Sequence, residues 1–365
     1  MKKILFALLA ATMLIGCQEK KDDNVIRIGA ILPLSGNSSI LGEPKKQAFD
    51  IAKDYYNAQG YNIEIVYEDS EGNASKGVAS LNKLIAQNNI DYFYIDLTPI
   101  VNSCVPIINR YKVTTFAGSA EPGITNQSEH LFRLFAGGDQ EIDLMIQYLK
   151  DSNMPSVYVL HTNELYGINA YKSLSYKYRS IGGVVIGNDE YPMNNNDFKA
   201  QLIKAKASGA EKILLLGYGN EYAVLLRQSQ EMQIQPSNII CNLGGSNKVI
   251  GDLPAELITD MVFIGPKFSY LLNRNELNTN MQHFVNLFAE RHNAIPDFRA
   301  AYVYDTVSII LESITSDSQN SFENNIMNIK NFDGISGNIT FMRNGDSLTD
   351  LIIAKYNQNK SIECL

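Results

Sequence analysis

The feature that most constrains the fold is an alternation, from residue 25 onward, of short β-rich apolar runs with longer amphipathic stretches. Residues 25–32 have the composition of a strand, and residues 42–58 place apolar and aromatic side chains at helical spacing. Parallel strands need crossover connections long enough to hold a helix. The alternation therefore predicts an α/β fold with parallel sheets.

The alternation runs through two successive series, and the second begins at residue 157. Two series of similar length predict two lobes with separate sheets. A further helical region and a closing strand pair around Asn344-Gly345-Asp346 complete the chain. The predicted strands are 63–67, 91–95, 113–116, 157–160, 184–186, 212–216, 239–241, 338–342 and 350–356, and the predicted helices are 74–86, 100–111, 170–180, 197–207, 222–232, 282–291 and 302–313.

The N-terminus has the organisation of an export signal. Lys2 and Lys3 precede an apolar run over residues 4–15, which is too short to cross a bilayer as a stable helix. The run ends in Leu14-Ile15-Gly16-Cys17, which resembles the lipobox of bacterial lipoproteins. We therefore expect residues 1–16 to be a signal peptide and residues 17–24 a tether lipidated on Cys17. The alternative is a buried N-terminal helix with an incidental cysteine.

Charge and cysteine content exclude several classes of protein. The formal net charge is −8, and removing Lys2 and Lys3 with residues 1–16 makes it −10, so nucleic acid is not an expected partner. Beyond Cys17, only Cys104, Cys241 and Cys364 remain, which allow at most one disulfide bridge. The fold therefore does not depend on a disulfide framework.

The sequence has no recognisable catalytic or cofactor motif. It lacks a Walker A loop, a G-x-S-x-G elbow and a G-x-G-x-x-G after a strand. The four histidines, His130, His161, His283 and His292, do not have metal-ligand spacing. His161 follows apolar strand residues, where it either faces a cleft or is a hydrogen-bonded structural residue. We expect neither enzymatic activity nor a cofactor or metal.

The order of elements and several short motifs resemble the leucine/isoleucine/valine-binding family of type I periplasmic solute-binding proteins. The resemblance covers essentially all of residues 25–360. It is carried by Ile28-Gly29-Ala30 through Leu34-Ser35-Gly36, Thr115-Phe116-Ala117-Gly118-Ser119-Ala120, Phe132-Arg133, Leu165-Tyr166-Gly167, Ala301-Tyr302-Val303-Tyr304-Asp305, and Ser336-Gly337-Asn338-Ile339-Thr340-Phe341 with Asn344-Gly345-Asp346.

The resemblance implies two Rossmann-like lobes joined by a three-strand hinge. The chain would cross near residues 138, 266 and 337. These crossings make lobe 1 residues 25–138 plus 266–337, and lobe 2 residues 139–265 plus 338–365.

The resemblance also implies a function. The protein would be a monomer, lipid-anchored to a bacterial membrane in the periplasm or at the cell surface. It would bind an amino acid or a related small amine, amide or carboxylate between its lobes and deliver it to the membrane permease of an ABC-type importer. The alternative is a sensory module of the same fold that signals through a partner protein.

Ligand is expected where loops at the carboxyl ends of parallel strands meet helix N-termini, because these expose oriented N–H groups. Two lobes facing each other along that edge form a cleft. We name the six predicted loops the cleft loops; they are 35–42, 96–99 and 119–121 in lobe 1, and 163–167, 218–220 and 243–246 in lobe 2.

In lobe 1, Thr98 matches the position of the family's serine that binds the ligand carboxylate, and Ser119 matches a backbone contact. The alternatives are a helix N-cap for Thr98 and a turn serine for Ser119. Glu121 stands where the family has a second threonine donor, and Leu41 stands where it often has an aromatic residue. Asp96 and Glu121 are either negative groups for a cationic ligand or exposed acidic residues, and for Asp96 we expect exposure.

In lobe 2, Tyr166 and Tyr218 match positions whose rings line the family's cleft, although either could be a core or surface residue. Leu243 stands where the family has a glutamate for the ligand ammonium, so the resemblance does not imply recognition of standard α-amino acids. Asp139 either binds ligand or caps the helix that begins there, and we favour the cap.

Overall fold

The structure, a computed structural model, describes residues 24–365 except residue 88. The predicted signal peptide and Cys17 lie outside the described residues. The strands are β1 Ile26–Leu32, β2 Ile63–Asp69, β3 Tyr92–Asp96, β4 Thr115–Gly118, β5 Leu131–Arg133, β6 Val157–Thr162, β7 Val185–Tyr191, β8 Lys212–Leu216, β9 Ile239–Cys241, β10 Val262–Pro266, β11 Phe332–Gly334, β12 Gly337–Phe341, β13 Ser347–Thr349, β14 Leu351–Tyr356 and β15 Ile362–Cys364.

The helices alternate with these strands. They are α1 Ser39–Asn57, α2 Ala74–Ala86, α3 Thr98–Tyr111, α4 Gly138–Asp151, α5 Leu165–Ser180, α6 Lys199–Ala207, α7 Gly219–Glu231, α8 Lys248–Gly251, α9 Ala255–Ile258, α10 Lys267–Arg274, α11 Thr279–His292, α12 Phe298–Thr315 and α13 Phe322–Asn328. None of the described helices is both long and apolar enough to cross a membrane.

The first sheet is parallel and has five strands in the order β2-β1-β3-β4-β5. Alternate residues of β1 face opposite sides: Ile28 and Ala30 pack with α1 and α12, whereas Ile31 packs with α2 and α3. Both faces are covered because the helices that connect parallel strands lie on both sides of the sheet. We call the elements around this sheet lobe 1.

The second sheet has seven strands in the order β15-β14-β10-β9-β8-β6-β7. Strands β6 to β10 are parallel, whereas β14 and β15 are antiparallel additions at one edge. Helices α4 and α5 cover one face, and α6 and α7 cover the other. We call the elements around this sheet lobe 2. The α/β fold with parallel sheets is therefore confirmed.

The closing hairpin forms around Asn344-Gly345-Asp346, but the prediction of residues 350–356 as its second strand is wrong. Strand β12 pairs with β13 and β11 in a small antiparallel sheet, whereas β14 pairs with β10 and β15 in lobe 2. Ile339 and Phe341 of β12 are buried in the lobe 1 core. The predicted lobe boundaries stay a prediction, but this packing favours a third crossing near residue 350 over one near residue 337.

A buried carboxylate fixes the segment before β12. Asp305, on α12, accepts hydrogen bonds from the backbone N–H groups of Ile335 and Ser336 at 2.7 Å each and from the Ser336 hydroxyl at 2.6 Å. Burial raises the pKa of Asp305 to about 6, although these hydrogen bonds oppose the shift. The family motif around Tyr304-Asp305 therefore has a structural role here.

Candidate ligand-binding cleft

The lobe 1 side of the predicted cleft begins where β3 ends. Leu97 has φ +71° and ψ 127°, a backbone conformation rarely adopted by a non-glycine residue, and α3 starts at Thr98. Leu97 therefore occupies the N-cap position, and the N-cap alternative for Thr98 is wrong. The Thr98 hydroxyl instead lies 2.8 Å from the Ser119 hydroxyl, and both side chains are buried.

This hydroxyl pair has a hydrogen-bond donor to spare. Ser119 Oγ also accepts a hydrogen bond from the Glu121 backbone N–H at 3.2 Å. Of the two hydroxyl protons, one is used within the pair, whichever oxygen donates. The other proton has no acceptor among the residues that the structure describes, so it is available to a ligand carbonyl or carboxylate oxygen.

Glu121 lies between the two lobes. Its side chain is buried, with 6% exposure. Its carboxylate accepts hydrogen bonds from Asn102 on α3 and, at 2.9 Å, from Asn169 on α5. The alternative of an exposed acidic residue is therefore wrong. The amide of Asn169 reaches from lobe 2 to a carboxylate of lobe 1, so the two lobes meet here.

Arg133 holds the loop that carries Ser119 and Glu121. Its guanidinium forms a two-pronged ion pair with Asp346, with an Nε–Oδ1 distance of 2.7 Å, and it donates to the Glu121 carbonyl oxygen at 2.6 Å. Both charged side chains are buried. A bidentate arginine–carboxylate pair fixes direction as well as distance, so the small antiparallel sheet orients this loop.

Asp96 is not exposed, contrary to expectation. It is fully buried at the end of β3, and it pairs with the buried Lys45 of α1. A buried carboxylate needs such a partner because leaving it unpaired costs several kcal/mol. Lys45 neutralises Asp96, which makes Asp96 unsuitable as a charge for a ligand.

The structure also places the two remaining candidates of lobe 1 and its border, Asp139 and Leu41. Asp139 is not the N-cap of α4, since Gly137 occupies that position; its carboxylate accepts a hydrogen bond from Gly123 N–H at 2.9 Å and so ties α4 to the loop after Glu121. Leu41 lies half-buried in the first turn of α1, at the strand-end edge of lobe 1.

The lobe 2 side is organised around Glu141, which the sequence analysis missed. The Tyr166 hydroxyl donates to the Glu141 carboxylate at 2.6 Å and accepts from the Asn242 amide at 2.6 Å. The second carboxylate oxygen of Glu141 accepts from the Leu243 backbone N–H. Burial raises the pKa of Glu141 to about 7, although these hydrogen bonds and the charge of Arg133 oppose the shift.

Tyr218 is the more accessible of the two predicted tyrosines. It occupies the N-cap position of α7, and its side chain is 36% exposed, whereas Tyr166 is buried. The ring centroids are 6.0 Å apart with planes tilted by 40°. Tyr218 therefore has an accessible ring, and the buried Tyr166 packs beside it.

Leu243, a residue of lobe 2, packs into the apolar core of lobe 1. It begins a short 3-10 helix at the end of β9, and its buried side chain belongs to the same apolar cluster as Phe135 and Ala136 of the first crossing. By contrast, His161 is buried between Tyr171, on which it stacks at 4.8 Å, and Asn188. This packing supports the structural alternative for His161.

The structure thus brings Thr98, Ser119 and Glu121 together, and likewise Tyr166, Tyr218 and Leu243. The two groups meet through the Glu121–Asn169 hydrogen bond. Helical spacing could have identified Asn169, because it lies three residues after Tyr166 on the same helix. No sequence signal distinguishes Glu141 or Asn242 from other polar residues.

Comparisons with known proteins agree with this fold. The model of the family described as "Periplasmic binding protein" matches residues 25–360. Leu/Ile/Val-binding protein homolog 7 of Brucella suis biovar 1 is 21% identical over 332 residues, which covers 86% of this chain and 82% of that protein.

Two solved structures illustrate the fold. The branched-chain amino acid transporter substrate-binding protein LivJ of Streptococcus pneumoniae, in complex with isoleucine, has a TM-score of 0.78 at 20% identity and covers 93% of this chain and 99% of its own. The solute-binding protein of an ABC transporter from Rhodopseudomonas palustris BisB5, in complex with 3,4-dihydroxybenzoic acid, has a TM-score of 0.75 at 17% identity and covers 91% and 93%.

Proposed function

This chain belongs to the periplasmic binding protein family, and we propose that it is an extracytoplasmic lipoprotein that binds one small solute between its lobes and delivers it to an ABC-type importer. It performs no chemistry on the solute. The observation that carries the proposal is the hydrogen bond between Glu121, on the same loop as Ser119, and Asn169, on the helix whose Tyr166 packs beside Tyr218.

The proposed mechanism is ligand-stabilised closure. A solute can favour the closed form only through contacts that it makes better with both lobes than with one. Lobe 1 offers a spare hydroxyl proton and the Glu121 carboxylate, and lobe 2 offers the Tyr218 ring. The N-termini of α5 and α7 add backbone N–H groups of a first helical turn, which have no partner within their own helix.

These groups suit a small solute with at least one hydrogen-bond acceptor. The spare hydroxyl proton and the helix N-termini favour a carboxylate or carbonyl oxygen. The two structural neighbours bind an amino acid and an aromatic acid, respectively. We propose an amino acid or a related small amine, amide or carboxylate for this chain.

A thermal-shift screen over amino acids, amines, amides and carboxylates tests the proposal. A ligand that binds only the folded state raises the melting temperature in a concentration-dependent manner. We expect at least one compound of these classes to do so with one molecule bound per chain. If only nucleotides or polysaccharides stabilise the protein, the small-solute proposal is wrong.

The lipid anchor has its own test. Replacing Cys17 with serine removes the thiol that would carry the lipid, so Cys17→Ser should move the protein from the membrane fraction to the soluble fraction. Cys364→Ser, which alters an exposed free cysteine at the other end of the chain, is the matched control. Continued membrane retention of Cys17→Ser would contradict the anchor.

A further inference from the structure

We infer that the solute carries a net positive charge and that Glu121 binds its cationic nitrogen. This inference rests on the proposed binding function and narrows it to one class: a small organic cation that also has a hydrogen-bond acceptor. Three features of the described residues lead to it.

The first feature is the environment of Glu121. Its carboxylate is buried, and its hydrogen-bond partners are the neutral amides of Asn102 and Asn169. The nearby Arg133 does not neutralise it, because the guanidinium pairs with Asp346 and contacts only main-chain oxygen of Glu121. The described residues show no ion pair to Glu121, and a buried carboxylate without a cation is unfavourable by several kcal/mol.

The second feature is the charge of the six cleft loops. Together they contain three acidic residues, Asp96, Glu121 and Glu164, and no lysine or arginine. Lys45 neutralises Asp96 from below. Glu121 and Glu164, which is half-buried, therefore leave the gap with an uncompensated negative charge.

The third feature surrounds Tyr218. Its exposed ring is available to a cation, which an aromatic face attracts by about 0.5–2 kcal/mol. Glu221 lies in the first turn of the helix that Tyr218 caps and is 4% exposed. One of its carboxylate oxygens accepts from Asn194 N–H at 2.8 Å, and the other has no partner among the described residues. The lobe 2 wall is thus aromatic and negative as well.

Charge balance then discriminates between ligand classes. An anionic solute would add a like charge to a closed gap. A zwitterion could pair its cationic group with Glu121, but its anionic group would leave the net charge of the gap unchanged. A solute with a net charge of at least +1 removes that penalty, while its acceptor uses the spare proton of the Thr98–Ser119 pair. Closure therefore favours the cation.

The test compares probes of matched shape and different charge by calorimetric titration, within the wider panel of amines, amides and carboxylates. L-arginine and L-citrulline form one pair, and L-lysine and L-norleucine form another. We expect the tightest binder in the panel to be cationic and to bind at least about tenfold more tightly than its neutral counterpart.

Substitution assigns the preference to one residue. Glu121→Gln keeps the shape of the side chain and one of its two acceptor oxygens but removes its charge, so it should weaken the cationic probe by about tenfold or more and the neutral probe by less than about threefold. Glu129→Gln, which makes the same charge change at an exposed position of lobe 1, should leave both affinities unchanged.

The outcomes separate this inference from the proposed function. If the tightest binder is neutral or anionic, or if Glu121→Gln weakens both probes equally, the inference is wrong and the binding function stands. If no compound of the panel binds, the proposed function itself is wrong, and the inference falls with it.

Discussion

In lobe 1, the loop of Ser119 and Glu121 is held by Arg133, whose positive charge is paired with Asp346. In lobe 2, the corresponding wall is held by Glu141, a fully buried carboxylate bonded to Tyr166 and the Leu243 backbone, with no ion pair among the described residues. Arg133 and Glu141 each hold a cleft loop in place through buried hydrogen bonds. They differ in charge compensation, and this difference predicts unequal responses to mutation and to pH.

The largest effect is expected from breaking the lobe 1 ion pair. Arg133→Ala leaves the Asp346 carboxylate buried without a cation, which should lower the free energy of unfolding by about 3–5 kcal/mol. Urea denaturation measures this loss. Arg274→Ala, which breaks the exposed pair with Glu276, is the control and should have little effect. A loss as small as that of the control would show that Arg133 does not hold this wall.

The lobe 2 wall should instead respond to pH. The folded-state pKa of Glu141 is raised to about 7 from an ordinary value of 4.5 because the carboxyl is buried. The folded state then binds more protons than the unfolded state between these values, so the free energy of unfolding should fall as pH rises from 4.5 to above 7, by up to about 3 kcal/mol.

Glu141→Gln should flatten the part of this decline that lies near neutral pH, as measured by urea denaturation at pH 5, 6, 7 and 8. Asp305, with its pKa raised to about 6, should preserve a residual slope at lower pH. Glu129→Gln supplies an exposed glutamate as the control and should keep the wild-type slope. An unchanged slope in Glu141→Gln would mean that Glu141 does not titrate in this range.

The two tyrosines of lobe 2 should have different roles: Tyr166 stabilises the fold, and Tyr218 contacts the solute. Tyr166→Phe removes the hydrogen bonds to Glu141 and Asn242, so it should lower the free energy of unfolding by about 1–3 kcal/mol. Tyr218→Ala should barely change stability but weaken solute binding about tenfold, or about 1.4 kcal/mol. If Tyr166→Phe mainly weakened solute binding and Tyr218→Ala mainly lowered stability, the proposed roles of the two residues would be reversed.

The smallest effect is expected where the lobes meet. Asn169→Ala removes the amide that joins α5 to Glu121, which should weaken solute binding about threefold to tenfold through loss of one hydrogen bond in the closed form. Lys172→Ala, an exposed change on the same helix, is the control. Equal affinities of the two variants would show that Asn169 does not contribute to closure.

Much of the fold could be predicted because its signals are local. The β1, β3 and β8 strands are short apolar runs, and α1, α2 and α3 have amphipathic spacing. The exception is the C-terminal region, where β12 and β14 were predicted to pair with each other. Each joins different strands instead, because strand pairing depends on which edge and which core are available, and neighbouring strands in the sequence do not specify this.

The candidate site was predictable only in part. Position after a strand identified Thr98, Ser119 and Tyr218, but not what each side chain does. Asp96 was expected to be exposed, yet it is buried. Its charge is neutralised by Lys45, which lies 51 residues away in the sequence. Asp139 was expected to cap α4 but binds Gly123. Such pairings depend on the approach of distant segments, which residue type alone does not encode.

The sequence by itself determined the α/β alternation, the family resemblance and the acidic character of the cleft loops, because these depend on periodicity and composition along the chain. Only the tertiary structure decided which carboxylates are compensated. Asp96 and Asp346 each have a buried cation within reach, whereas Glu121 and Glu141 have neutral donors. The physical reason is that the energy of a buried charge depends on its nearest partner in space, and folding chooses that partner.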